Sequence, residues 1–128
     1  MAENYSGTAY STDVADIGEG ATYSTASGEM TTADRYEISM LAYATGANAS
    51  SSGAVTFNLV PKIAGKWCTD NSWEHITLVV SGTSEDVSKP IILNVGGIQA
   101  IRVQTIVNGD PTYHITNVNV AFSVPPRR

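Results

Sequence analysis

Ala54-Val55-Thr56-Phe57-Asn58-Leu59-Val60-Pro61-Lys62 is the stretch whose reading decides the fold. Val55, Phe57 and Leu59 fall on one side and Thr56 and Asn58 on the other. That two-residue period belongs to a half-buried strand, because successive side chains of extended chain point to opposite faces. Pro61 has no N–H to give to a ladder, so this end of the strand is expected at a sheet edge or a bulge.

The same period continues outward in both directions. Upstream, Tyr36, Ile38, Met40, Ala42 and Ala44 share a face, with Arg35, Glu37 and Ser39 opposite. Downstream, Ile76, Leu78 and Val80 alternate with His75 and Thr77, and Ile91, Leu93 and Val95 end at Gly96-Gly97. Ile101, Val103, Thr105 and Val107 alternate with Arg102 and Gln104, before the turn signal Asn108-Gly109-Asp110-Pro111. Val118, Val120, Phe122 and Val124 are expected inward and Asn117, Asn119 and Ser123 outward, with Pro125-Pro126 as the stop. A weaker strand lies over Ala21 to Ala26. The small, polar run from Thr45 to Gly53 reads as a long hairpin loop at one end of the structure. No stretch keeps a helical period. About seven short strands with turn residues between them predict an all-β fold, an antiparallel sandwich or barrel.

Three segments follow from this reading. Residues 1–20 are polar and without a clean period, carrying Tyr5, Tyr10, Val14 and Ile17; they are expected to be an extended N-terminal arm. Such a segment is mobile by itself, so the arm is expected to lie on a neighbouring subunit through those four residues. Residues 21–126 form the β-sandwich domain. Residues 127–128 are a basic end, Arg127-Arg128, either solvated or docked on an acidic neighbour.

Composition narrows the function. Charged residues are 15% of the chain, against ~25% in ordinary soluble domains, so neutral polar groups must build much of the surface. A net charge of −5 argues against nucleic acid as a partner, since phosphate contacts need clustered Lys and Arg. No segment has the ~18 consecutive apolar residues of a membrane helix. The start, Met1-Ala2-Glu3-Asn4-Tyr5, shows neither a basic region nor an apolar run, so no secretory signal is expected. Cys68 is the single cysteine; an internal disulfide is excluded and synthesis in a reducing cytosol is expected.

Catalytic constellations are hard to find. Cys68, His75 and His114 lack the context of a nucleophile pair and the spacing of a zinc site. Cys68 reads as a packed or inert thiol. Asp13, Asp16 and Glu19 recur every third residue without the alternation of a calcium loop; these acids, with Glu85, Asp86 and Asp110, read as solvated. The expectation is a non-enzyme with no cofactor and no metal. Trp67 and Trp73 bracket Cys68-Thr69-Asp70-Asn71-Ser72. Either both rings pack over an edge of the core, or they stand exposed as a platform for a sugar or a partner protein.

The segment Gly53 to Val124 resembles small virion proteins of tailed bacteriophages. The resemblance rests on the strand Ala54–Lys62, the tryptophan loop from Lys66-Trp67 to Ser72-Trp73, the strand Ile98–Ile106, and the closing strand Thr116–Val124. It implies a jelly-roll-like β-sandwich of about seven to eight strands, made in the host cytoplasm and located on the virion. The role implied is capsid decoration or cement: binding across neighbouring subunits of the major capsid protein or other virion proteins, as a homo-oligomer, commonly a trimer. A neck, tail or head-fibre component and a glycan- or receptor-binding module are the alternatives. The partner-binding residues expected overall are Tyr5, Tyr10, Val14, Ile17, Trp67, Trp73, Arg127 and Arg128.

Overall fold

The strand periods resolve into two antiparallel sheets packed face to face. The computed structural model describes residues 6–24, 29–33, 35–69 and 73–124, and for residues 6–15, 123 and 124 the backbone alone. The described residues form eleven strands and no helix. They are β1 (Ser6–Ile17), β2 (Thr22–Ser24), β3 (Met30–Thr31), β4 (Glu37–Gly46), β5 (Ser52–Ile63), β6 (Lys66–Trp67), β7 (Glu74–Ser81), β8 (Glu85–Val87), β9 (Ile91–Asn94), β10 (Ala100–Asn108) and β11 (Ile115–Val124).

The first sheet runs β1-β11-β4, with β8 and β9 sharing the far side of β4. In the second, β2 and β3 both lie on β10, β10 pairs β5, and β6 and β7 share the far side of β5. β2 with β3, and β8 with β9, act as interrupted single strands, and β6 is a short added arm. Eight strands then remain, ordered first-eighth-third-sixth and second-seventh-fourth-fifth. That is the double Greek key of a jelly roll.

Three expectations are corrected here. The stretch expected to be an arm is β1 from Ser6 to Ile17, paired with β11 of the same chain from Ser6↔Val124 to Ile17↔Ile115. Its period is hidden because the register shifts between Tyr10 and Val14, and an irregularity of this kind breaks two-residue alternation. The Thr45–Gly53 run is no hairpin loop: β4 and β5 belong to different sheets, so it crosses the sandwich. Pro61 sits in the interior strand β5, opposite Ile101. It is tolerated there because the neighbour on its other side changes. β7 pairs up to Leu59 and β6 begins at Lys62, and the Pro61 carbonyl takes the Cys68 N–H at 3.0 Å across the gap.

The core lies between the sheets. Ile38, Met40, Ala42 and Ala44 of β4, with Val118, Val120 and Phe122 of β11 beside them, face Val55, Phe57 and Leu59 of β5 and Ile76, Leu78 and Val80 of β7. Phe57 and Phe122 are both fully buried, a kind of side chain whose truncation to Ala costs ~3–5 kcal/mol. In β10 a register shift between Val103 and Thr105 reverses which residues face inward. Ile101 and Val103 are buried as expected, but beyond the bulge it is Ile106 and Asn108 that point in, while Thr105 and Val107 turn outward. Tyr36, placed by period on the inner face of β4, precedes that strand and is 83% exposed.

The inward turn of Asn108 creates a polar plug at one end of the sandwich. Its Nδ2 is 3.2 Å from the carbonyl oxygen of Ile17, 3.0 Å from that of Gly18 and 3.1 Å from that of Tyr113. Its Oδ1 accepts the Asp110 N–H at 2.9 Å. Asp110 is buried as well. It accepts the N–H groups of Thr112, Tyr113 and Ser52 at 2.9, 3.0 and 3.0 Å, which hold its carboxyl below the ordinary value, Thr112 contributing most. The expected solvated acid is therefore a structural one. These bonds join the end of β1, the start of β5 and the β10–β11 turn. We expect Asn108→Ala to cost about 2–4 kcal/mol, because several buried polar groups lose their partner at once. Urea denaturation checks this, and a loss within ~0.5 kcal/mol would mean that water replaces the amide.

Candidate functional site

Of the residues expected to touch a partner, the side chains of Ile17, Trp67 and Trp73 are described. Tyr5, Arg127 and Arg128 lie outside the described residues, and for Tyr10 and Val14 only the backbone within β1 is described. Ile17 is 3% exposed and part of the core, so it has no face left for a partner. Trp73 is half-buried and packs against the core. Trp67 instead lies on the outer face of the second sheet. Both rings are half-buried, in different settings. Cys68, expected to be packed or inert, is exposed.

The first candidate surface is an open flank where β7 runs beside β8 and β9. β7 pairs with β5 alone, so among the described residues no strand covers its other edge. A groove of about 470 Å³ runs along this flank, lined among others by Ile76, Leu78, Val87 and Ile91. Val79, 68% exposed, and Val87, 54%, also line it, and Ile92, 68%, lies further along β9 on the outer face of the first sheet. The outer face of the first sheet continues the apolar character through half-buried Leu41, Tyr43 and Ala121, which register places beside Val87 and β11. An unpaired edge flanked by exposed aliphatics is a site for association unless something covers it.

The flank is rigid rather than frayed. Where β8 ends and β9 has not begun, the Ser88 N–H bonds to the Ala42 carbonyl at 2.8 Å. The Ser88 hydroxyl accepts the Ala42 N–H at 2.8 Å. One serine thereby replaces the ladder that Lys89-Pro90 interrupts. Asp86 closes the turn from β7 by accepting the Ser81 N–H at 2.9 Å.

The second candidate surface surrounds Trp67. The β5–β6 hairpin turns on Ala64 and Gly65, with φ of 52° and 78°, the left-handed pair of a tight two-residue turn. It lays Trp67 opposite Lys62. The Arg102 guanidinium lies 4.3 Å from the indole centroid and the Lys62 ammonium 5.6 Å, both within cation–π range. Arg102 is further held by its Nε, which donates to Gln104 Oε1 at 3.1 Å. Val60 points outward in β5 opposite Arg102 yet is 1% exposed. Arg102 and Lys62 carry no signal in the sequence: they look like ordinary outward residues until the hairpin folds back.

A third cluster ties the end of β1. His114 Nδ1 is 3.0 Å from both carboxylate oxygens of Asp16, and Nε2 is 3.5 Å from Glu19. The hydrogen bond and charge of Asp16, and more weakly Glu19, raise the His114 pKa above its ordinary 6.5. Among the described residues no group of three His, Cys, Asp or Glu is arranged to hold a metal, and no helix is long and apolar enough to cross a membrane.

No protein-family model matches the chain, and no curated protein does. Two solved structures are similar in outline. One, described as "Bacillus endospore appendages form a novel family of disulfide-linked pili", is 13% identical with a TM-score of 0.40, over 99% of this chain and 93% of that one. The other, of infectious bursal disease virus Gt strain, is 10% identical with a TM-score of 0.36, over 98% of this chain and 31% of that one. At TM-scores below 0.5 neither likeness carries a functional inference.

The His114 cluster has a consequence for pH. A folded-state pKa raised above the unfolded value gives stability that is complete below 6.5 and is lost as pH rises through the raised value. We therefore expect β1 to be held less firmly at about pH 9 than at about pH 6. His114→Gln should abolish that part of the pH dependence in thermal melts. Parallel melting curves for both proteins at both pH values would show that the cluster contributes nothing.

Proposed function

We propose that this chain is a non-enzymatic structural subunit that docks on a larger protein assembly through the β7–β9 flank. The specific form we favour is a capsid decoration or cement protein. One observation carries the reading: a groove lined by Val79 and Val87, 68% and 54% exposed, runs beside an unpaired strand edge, and Ile92, 68% exposed, lies beyond it on the outer face of the first sheet with Val87. Each aliphatic returned to an apolar environment is worth ~1.5–3 kcal/mol if fully buried, so Val87 and Ile92, with Leu41 and Tyr43 on the same face, supply the centre of a stable contact and Val79 its margin across the groove. A low density of charge lowers the cost of desolvating the surrounding surface. The strand pattern from Gly53 to Val124, which resembles tailed-phage virion proteins, supports the choice of a capsid as the assembly.

The tests are a census and a disruption. Quantitative mass spectrometry of particles purified from the source should find this chain at a simple ratio to the main shell subunit. A dozen copies or fewer, roughly, would move it to a neck, tail or fibre; absence from every particle would end the virion reading. In reconstitution, Val79→Lys with Ile92→Lys should leave the melting temperature nearly unchanged, since both side chains are exposed, and weaken attachment by at least about tenfold. Attachment at undiminished affinity would remove the flank from the mechanism.

A further inference from the structure

We propose that the outer face of the second sheet, at Trp67, binds a carboxylated saccharide, with a sugar ring on the indole and its carboxylate on Arg102 and Lys62. This site lies on the sheet opposite the apolar face of the first, and it does not depend on the assembly reading.

Charge is the first observation. The chain has 7 Lys and Arg against 12 Asp and Glu. Two of those cations, Lys62 and Arg102, nevertheless gather at the Trp67 ring, on the β5–β6 hairpin and the adjoining strand. Among the described residues neither of these two forms an ion pair with a carboxylate. A local excess of positive charge in an acidic protein attracts an anion.

Geometry is the second. Stacking on Trp67 and the bond to Gln104 fix the Arg102 guanidinium in one plane. Only Nε is used in that bond, so the terminal nitrogens remain to grip a carboxylate through two parallel bonds. Because the arginine is already ordered, little side-chain entropy remains to be lost on binding.

The floor beside the ring supplies the third. Register sets Thr56 opposite Thr77 and Val107, and Asn58 opposite His75 and Thr105. Asn58 Nδ2 donates to the Thr105 hydroxyl at 3.0 Å. Short hydroxyl and amide side chains on a flat sheet suit the hydroxyls of a sugar, whose C–H face packs on an aromatic ring. Nucleic acid fits less well. It calls for a continuous basic track and several stacking rings, and this face offers one ring and two cations.

The test is an NMR titration of the full chain with trigalacturonate, a mannuronate oligomer and sialyllactose. Maltotriose, inorganic sulfate and a short oligothymidylate serve as comparisons. We expect saturable shifts of the Trp67 indole N–H and of the Lys62 and Arg102 amides with at least one acidic sugar. The Trp73 indole, against the core, should stay in place and report an intact fold. Arg102→Gln should weaken binding roughly tenfold or more, as loss of a charge-assisted pair implies. Arg102→Lys, which keeps the charge without the fork, should fall between. Silence with all three acidic sugars overturns the proposal. Equal affinity for maltotriose overturns the role of the carboxylate. Sulfate or oligothymidylate binding as tightly at the same residues would make this a general anion site.

Discussion

Asn108 is inside the protein because β10 carries a bulge, and its side-chain amide is what closes the end of the sandwich. A jelly roll crosses between its sheets at nearly every connection, so each end gathers backbone groups that no ladder can satisfy. Here one amide meets the carbonyls of Ile17, Gly18 and Tyr113 and takes the Asp110 N–H. Asp110 then satisfies Ser52, Thr112 and Tyr113. Among the described residues no buried side-chain nitrogen or oxygen lacks a partner. The first strand, the start of β5 and the β10–β11 connection are thereby held at one point, and β1 becomes part of the fold.

Two small irregularities place the functional surfaces. The break between β7 and β6 along β5 lets Pro61 occupy an interior strand and lets the hairpin carry Trp67 back over the outer face. The break between β8 and β9, repaired by Ser88, holds Val87 and Ile92 against β4 while the far edge of β7 stays unpaired. In both places the ladder gives up a few bonds and a side chain or loop restores them. Irregular sheet edges are a common place for proteins to keep interaction sites, because a fully paired interior strand has no backbone groups left to offer.

The two outer faces differ in chemistry. That of the first sheet is apolar through Leu41, Tyr43, Val87 and Ile92, and that of the second is hydroxyl- and amide-rich with cations at one end. Such a division fits a subunit with one side toward protein and the other toward solvent. Association by the apolar face would leave Trp67 and its cations free to meet a soluble ligand.

Much of the fold was legible in the chain. Phe57, Ile76, Ile38 and Val120 repeat at a period of two, and a half-buried strand is the structure that satisfies such a period, so the all-β class, the inner faces of four long strands and the absence of a helical layer followed from residue order. The rest depended on contacts distant in sequence. Alternation cannot be followed across a bulge, so β1 looked like an arm, and Asn108 and Asp110 looked like a plain turn with a solvated acid. Which loops cross between sheets depends on strand order, which local sequence does not encode. Trp67 was visible as a large ring, but Arg102 lies 35 positions away in the numbering. Only the folded-back hairpin puts its guanidinium on the indole, because that meeting is decided by sheet register and not by spacing along the chain.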